Sequence, residues 1–196
     1  MPEALEVLFG SKTRYRIIRF FLLNAEEYSL SEISEKILIK SSKIRKDLND
    51  FLRIKFLLFR LKKGKKYYRV NENFIFLAEL KSLVIKPNVY PYSKSLREIR
   101  KVGDVKLALI GGIFLNYNRG KADLLLVADN LNKKMFQNLI AKVEAEVGKE
   151  IRYVLMSSEE LKYRLNMTDR FLLDFIRGPH KEIINKVKEI IRIKRM

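Results

Sequence analysis

Residues 60–69 read Arg60-Leu61-Lys62-Lys63-Gly64-Lys65-Lys66-Tyr67-Tyr68-Arg69: six bases, one glycine, two tyrosines and no acid. The apolar run Phe56-Leu57-Leu58-Phe59 precedes them and Val70 follows. Two β-prone segments flank a lone Gly64, and glycine takes positive φ without steric cost, so the stretch is expected to form a β-hairpin. Lysine on both sides of the tip makes this a charged projection and not a core element. A projection of this sign suits a phosphate backbone. The plainer reading is a solvated turn, since lysine is ordinary on surfaces. Tyr67 and Tyr68 alternate along a strand, so one of them is expected to point into the core.

Upstream of the hairpin, a helix opens at Ser41 or Ser42 and runs to about Lys55, with Ile44, Leu48, Phe51 and Leu52 on one face. Its opposite face carries Ser42, Lys43, Arg45, Lys46 and Asn49. Before it, Ser29-Leu30-Ser31-Glu32 has the form of a capping box, a hydroxyl for the N3 amide and a carboxylate reaching back. The short helix that it opens would bury Leu30, Ile33 and Ile37. From Ser11 to Asn24, Tyr15, Ile18, Phe21 and Leu22 recur at helical spacing, with Arg14, Arg16 and Arg19 elsewhere around the helix. Three helices followed by a basic hairpin is the order of a winged helix-turn-helix domain.

The chain has 196 residues, Lys+Arg 41 against Asp+Glu 23, and a formal net charge of +18. The excess is divided evenly on the two sides of Pro87, so it is no basic tail; such a field favours polyanions and anionic membranes alike. With 47% apolar residues the chain can bury a core, and disorder is not expected. No apolar run approaches the ~18 residues of a spanning helix, and MPEALEVLFG lacks a basic leader region. A cytoplasmic protein with no membrane partner is the expectation. Cysteine is absent and His180 is the one histidine, which rules out disulfides, cysteine or histidine metal clusters and a conventional catalytic triad.

Phe74 to Ile85 reads as a further helix with Phe74, Leu77, Leu80 and Val84 inward and Ile75, Phe76 and Leu83 around it. So many apolar sides suggest a position between two bodies, either two domains or two subunits. Pro87, Asn88-Val89-Tyr90 and Pro91 break it and read as a linker. Domains are therefore expected at 1–86 and 92–196. Beyond the linker, strands and helices alternate: strands at Asp104–Ile110, Ala122–Ala128 and Ile151–Met156, and a helix at Asn132–Val147 with Met135, Leu139, Val143 and Val147 inward, stopped at Gly148. Ser157 caps a following helix with Glu160 at N3, Arg170–Arg177 extends the helical region, and Pro179–Met196 is amphipathic. Its lysine-bearing polar side would suit a membrane surface, but packing onto the second domain is the favoured reading. The fold class expected is α+β.

Leu8-Phe9-Gly10-Ser11-Lys12-Thr13-Arg14, Glu32-Ile33, Ile44-Arg45-Lys46-Asp47-Leu48 and Tyr67-Tyr68-Arg69-Val70 resemble archaeal and bacterial winged-helix transcriptional regulators, in one branch of which a nucleotidyltransferase-like domain follows. The resemblance covers nearly the whole chain. It implies an N-terminal winged helix-turn-helix domain and a small α/β nucleotidyltransferase-like domain with a mixed sheet, in which the residues around Lys181 to Ile184 form a short strand. One departure is the turn before the helix at Ser41, where the family has a glycine and this chain has Leu38-Ile39-Lys40.

In nucleotidyltransferases of this type a Gly-Ser ends the first strand, an Asp-x-Asp opens the second, and a third acid follows on a later strand. The carboxylates hold two Mg²⁺ ions. Here Gly111-Gly112 stands at the Gly-Ser position, Lys121-Ala122-Asp123 at the Asp-x-Asp, and Ile151 to Leu155 includes no acid. A lysine repels Mg²⁺ and one carboxylate cannot hold two hard cations. The resemblance thus implies a degenerate cleft at Gly111, Gly112, Arg119, Lys121 and Asp123, with no catalytic residue, metal or cofactor. The plainer reading of Asp123 is a strand end paired with Lys121 or Arg119.

The expected function is sequence-specific binding of double-stranded DNA as a homodimeric regulator. Arg45 and Asn49 have the donor geometry for base edges. Lys62, Lys63, Lys65 and Lys66 would meet phosphates. An active nucleotidyltransferase and an antitoxin-like module that binds a protein partner are the alternatives.

Overall fold

The computed structural model describes residues 2–85, 95–117 and 120–187. The chain is mixed α+β and divides into two compact units. Unit 1 comprises Met1–Pro87 with Ala141–Glu150, and unit 2 comprises Asn88–Ile140 with Ile151–Met196. The expected boundary thus has an exception, because residues 141–150 group with the first unit. The expected linker at Pro87–Pro91 lies outside the described residues, as does the C-terminal segment beyond residue 187.

Unit 1 opens with helix α1 (Pro2–Leu8), an addition to the expected elements. Helix α2 (Lys12–Leu23) starts where Ser11 Oγ accepts the Arg14 N–H at 3.0 Å. It buries Ile17 and Phe20 as well as the expected Tyr15, Ile18, Phe21 and Leu22, and a helix covered on this many sides is central to its unit. A two-residue strand, β1 (Tyr28–Ser29), leads into α3 (Leu30–Lys36), whose Ser29/Glu32 capping box is formed in both directions. The turn after α3 has Leu38 at φ 53°, so a leucine takes the left-handed conformation that glycine serves elsewhere.

Helix α4 (Ser41–Arg53) follows, with Lys40 at its N-cap and no side-chain cap. Ile44 and Leu48 are fully buried; burial of such a side chain contributes roughly 1.5–3 kcal/mol. Strands β2 (Leu57–Lys62) and β3 (Lys65–Val70) form the expected hairpin, with β1 on the other side of β3. Lys63 and Gly64 at the tip both have positive φ, 47° and 72°, the signature of a two-residue I′ turn. Tyr68 is the tyrosine that turns inward.

The helix expected from Phe74 begins instead at Leu77: α5 spans Leu77–Ile85. Asn71 accounts for the difference. Its side-chain oxygen accepts the Asn73 N–H and its carbonyl accepts the Phe74 N–H, which holds residues 71–74 in a turn. Leu77 and Val84 are buried, while Ile75, Phe76 and Leu83 are exposed.

In unit 2, strands β4 (Asp104–Ile110), β5 (Leu124–Asp129), β6 (Tyr153–Met156) and β7 (Lys181–Asn185) form a sheet in the order β6-β5-β4-β7. The β5/β6 pair is parallel and the β4/β5 and β4/β7 pairs are antiparallel, so the sheet is mixed. Leu124 to Val127 are fully buried, as a nearly all-apolar strand requires. Helix α6 (Lys133–Val147) buries Leu139, Val143 and Val147 as expected, together with Phe136, whose ring is edge-on to Tyr153; Met135, expected inward, is exposed. Helices α7 (Ser158–Asn166) and α8 (Arg170–Arg177) pack with the sheet core through Leu161, Leu172 and Ile176. Lys181–Asn185 is a strand paired with β4, as expected for the residues around Lys181 to Ile184. Among the described residues no helix is long and apolar enough to cross a membrane.

Candidate nucleic-acid interface

The alternation of α4 places Ser42, Lys43, Arg45, Lys46 and Asn49 on its outward face, while Ile44, Leu48 and Phe51 go into the core. The two acids of the helix are covered. Arg14 of α2 reaches Asp47 Oδ1 through Nε at 2.8 Å and Asp50 Oδ2 through Nη2 at 2.5 Å. One guanidinium thus neutralises both carboxylates and ties α4 to α2. Fork-shaped donors suit this, since a guanidinium offers several N–H groups in fixed directions.

Lys62, Lys63, Lys65 and Lys66 are all exposed at the end of the hairpin, but they are not equivalent. Directly opposite residues share a face, so Arg60, Lys62, Lys65, Tyr67 and Arg69 lie on one side of the ribbon. Glu27 meets this side: Lys62 Nζ is 2.8 Å from its Oε2, Arg60 Nη2 3.4 Å, and Arg69 Nε 4.0 Å from Oε1. The Lys62 hydrogen bond, helped by the charges of Arg60 and Arg69, holds the Glu27 carboxyl below its ordinary 4.5. Lys62, expected as a phosphate contact, is therefore engaged within the chain. Lys66 lies over the Phe59 ring at 4.6 Å, on the other side of the ribbon.

That other side carries Leu57, Phe59 and Leu61 of β2 and Lys66, Tyr68 and Val70 of β3. Burial raises the Tyr68 phenol above its ordinary 10, and the nearby Arg45 charge opposes the shift. Helix α4, which carries the exposed Arg45, packs against β2.

Arg19, which periodicity places on α2 without a role, is buried. Its Nε donates to the Val147 carbonyl at 2.6 Å, and its Nη1 donates to the Val84 carbonyl at 2.8 Å and the Tyr15 hydroxyl at 3.1 Å. Both carbonyls are in the last turns of helices, where a cation is favoured.

In unit 2, Asp123 is buried and bound differently from expectation. Its partner is Arg152, which donates Nε, Nη2 and its backbone N–H, each at 3.0 Å, and Ile113 N–H adds a fourth bond at 2.9 Å. Four donors occupy the acceptor positions that a carboxylate has. Lys121 lies 3.6 Å from Asp174 instead, a loose pair exposed to solvent. Arg119 lies outside the described residues. Gly112, at φ 48°, lies against Asp123: a Cβ there would sit 1.9 Å from Asp123 Oδ1.

A cavity of about 230 Å³ lies beside this pair, lined by Gly111, Gly112, Gly120 and Lys121 on one side and by Phe171 and Phe175 of α8 on the other. Among the described residues there is no group of three or more histidines, cysteines or acids that could hold a metal ion. His180 Nδ1 is 2.9 Å from the Gly178 carbonyl, which can only accept, so Nδ1 carries the proton; the ring stacks on Phe175. No signal in the sequence pairs Glu27 with Lys62, Arg14 with Asp47, or Asp123 with Arg152, because each pair joins separate elements. No family model, curated protein or solved structure compared with the chain matches it.

Proposed function

We propose that the chain is a DNA-binding regulator, with unit 1 a winged helix-turn-helix module and unit 2 a nucleotidyltransferase-like domain without catalytic metal chemistry. The observation that carries the first part is the outward face of α4: five hydrogen-bonding or cationic residues point outward while Asp47 and Asp50 on the same helix are covered by Arg14. A helix with that face can enter a major groove without presenting uncompensated carboxylates to phosphates. Arg45 and Asn49 read base edges, and Lys63, Lys65 and Lys66 meet the backbone.

The test is selection of bound duplexes from a random pool, followed by anisotropy titrations of Arg45→Ala and Asn49→Ala. A lost bidentate base contact costs about 1–3 kcal/mol at one position. Each variant is expected to relax specificity at one position and to leave non-specific affinity nearly unchanged. Uniform loss over all sequences would make these residues backbone contacts, and no selected duplex would end the reading.

Unit 2 is proposed as a scaffold or sensor, because Asp123 is saturated by Arg152 and Ile113, with Lys121 near the cavity in place of a second acid. Incubation with labelled nucleoside triphosphates and Mg²⁺ is expected to transfer nothing; transfer would establish the enzyme alternative. The proposed regulator is a cytoplasmic homodimer. The exposed Ile75, Phe76 and Leu83 at and before α5 support the dimer, which light scattering would test by mass.

A further inference from the structure

The β2–β3 hairpin joins two features that a solvated lysine-rich turn would not combine. Leu57, Phe59 and Leu61 occupy one side of β2, and they pass from fully buried to 45% and then 64% exposed as the strand leaves the core. Phe59 has cross-strand cover from Tyr68 and from the Lys66 ammonium over its ring. Leu61 has only Lys66 opposite it in the register. A large aliphatic side chain is therefore held out at the end of a paired ribbon, two residues before the tip, among Lys62, Lys63, Lys65 and Lys66. Leu57, at the base of this side of β2, shares one core with Ile44 and Leu48 of α4, so a single packed unit carries both the apolar edge and the outward face of α4.

We propose that Leu61, backed by Phe59, is a minor-groove wedge: with α4 in the major groove, Leu61 enters between two base pairs of the adjacent minor groove and kinks the duplex. This rests on the DNA-binding reading above. The charge around Leu61 selects the occupant, because Lys63, Lys65 and Lys66 around an apolar side chain repel cationic partners and can neutralise phosphates flanking a groove. Apolar side chains inserted between base steps unstack them at a cost that the extra backbone contacts of the bent duplex offset. Flexible pyrimidine–purine steps kink at least cost, so the inserted position carries a preference for TA or CA/TG without a hydrogen bond to any base. The hairpin, assigned so far only to phosphates, then contributes to specificity as well.

The experiment uses the full chain and a duplex it selects, labelled at both ends for energy transfer, with affinity followed in parallel by anisotropy. The wild type is expected to shorten the end-to-end distance. Leu61→Ala, checked for a native circular-dichroism spectrum and melting temperature, is expected to lose at least half of that shortening and the preference for a flexible step. Its affinity is expected to fall roughly three- to tenfold, with the salt slope unchanged. Phe59→Leu keeps an apolar backing and is expected to retain the bend. Equal bending by wild type and Leu61→Ala, or no bending in a tight wild-type complex, overturns the wedge while leaving DNA binding intact. A change of mass in Leu61→Ala with unchanged bending assigns the edge to a protein contact and also overturns it. Failure of the wild type to bind any duplex overturns the reading beneath it, and the wedge with it.

Discussion

Lys62 Nζ lies 2.8 Å from Glu27 Oε2, and Arg60 and Arg69 share the same carboxylate. One acid therefore holds three of the hairpin's bases, and the cations left for a polyanion are those at the tip. Glu27→Gln should release them. Each additional phosphate neutralised steepens the slope of log affinity against log salt by about 0.9. The variant is expected to bind duplex DNA several-fold more tightly at low salt, with a slope steeper by about one phosphate contact. An unchanged slope in anisotropy titrations would show that the three bases do not reach the backbone.

Leu38 at φ 53° is exposed in the turn between α3 and α4. The left-handed conformation costs an L-residue roughly 1–2 kcal/mol, and glycine in its place would lose more freedom on folding by about 0.5–1 kcal/mol. Leu38→Gly is expected to raise stability by up to about 1 kcal/mol in urea titrations. A loss would show that the leucine side chain contributes more than its exposure suggests.

The Ser29 backbone N–H, 2.6 Å from Glu32, together with the Ser29 hydroxyl, holds the Glu32 carboxyl below its ordinary 4.5. A lowered folded-state value means that the capping box contributes stability fully above the unfolded value, about 4.5. That stability is lost as pH falls through the lower folded one. Ser158 lowers Asp129 and Lys36 lowers Glu150 in the same direction. Melting temperature is expected to be flat near neutrality and to fall below about pH 4.5, with a shallower fall in Glu32→Gln. A fall that begins near neutrality would point to another titrating group.

A side chain has no room at Gly112. A Cβ would meet Asp123 Oδ1 at 1.9 Å, and φ is 48°. Gly112→Ser is expected to destabilise the chain by about 3 kcal/mol or more, since it displaces a buried carboxylate from Arg152. Thermal melts check this; a variant as stable as wild type would mean that Asp123 moves freely.

What the sequence disclosed was local. The Ser29/Glu32 box and the Lys63-Gly64 turn depend on neighbouring residues, and both formed where expected. The stripe of α4 follows from helical period alone, so its five outward residues were readable too. Errors arose where periodicity ran past a hydrogen-bonded turn, as at Asn71 before α5, or was carried into the first turn of a helix, as at Met135, which is exposed although Leu139, Val143 and Val147 behind it are buried. The pairings that shape the sites were not readable. Arg14 reaches Asp47 across 33 residues and Arg152 reaches Asp123 across 29, and a charge pattern alone does not say which acid a base will find.

The central claim is that the α4 face and the hairpin tip bind duplex DNA. It is tested most directly by the salt dependence of duplex affinity for the wild type and for the combined Lys63→Ala, Lys65→Ala and Lys66→Ala variant. Three lost phosphate contacts are expected to make the slope shallower by up to about 2.7 and to weaken every sequence alike. A variant that binds any duplex as tightly as the wild type, and with the same slope, would contradict the claim.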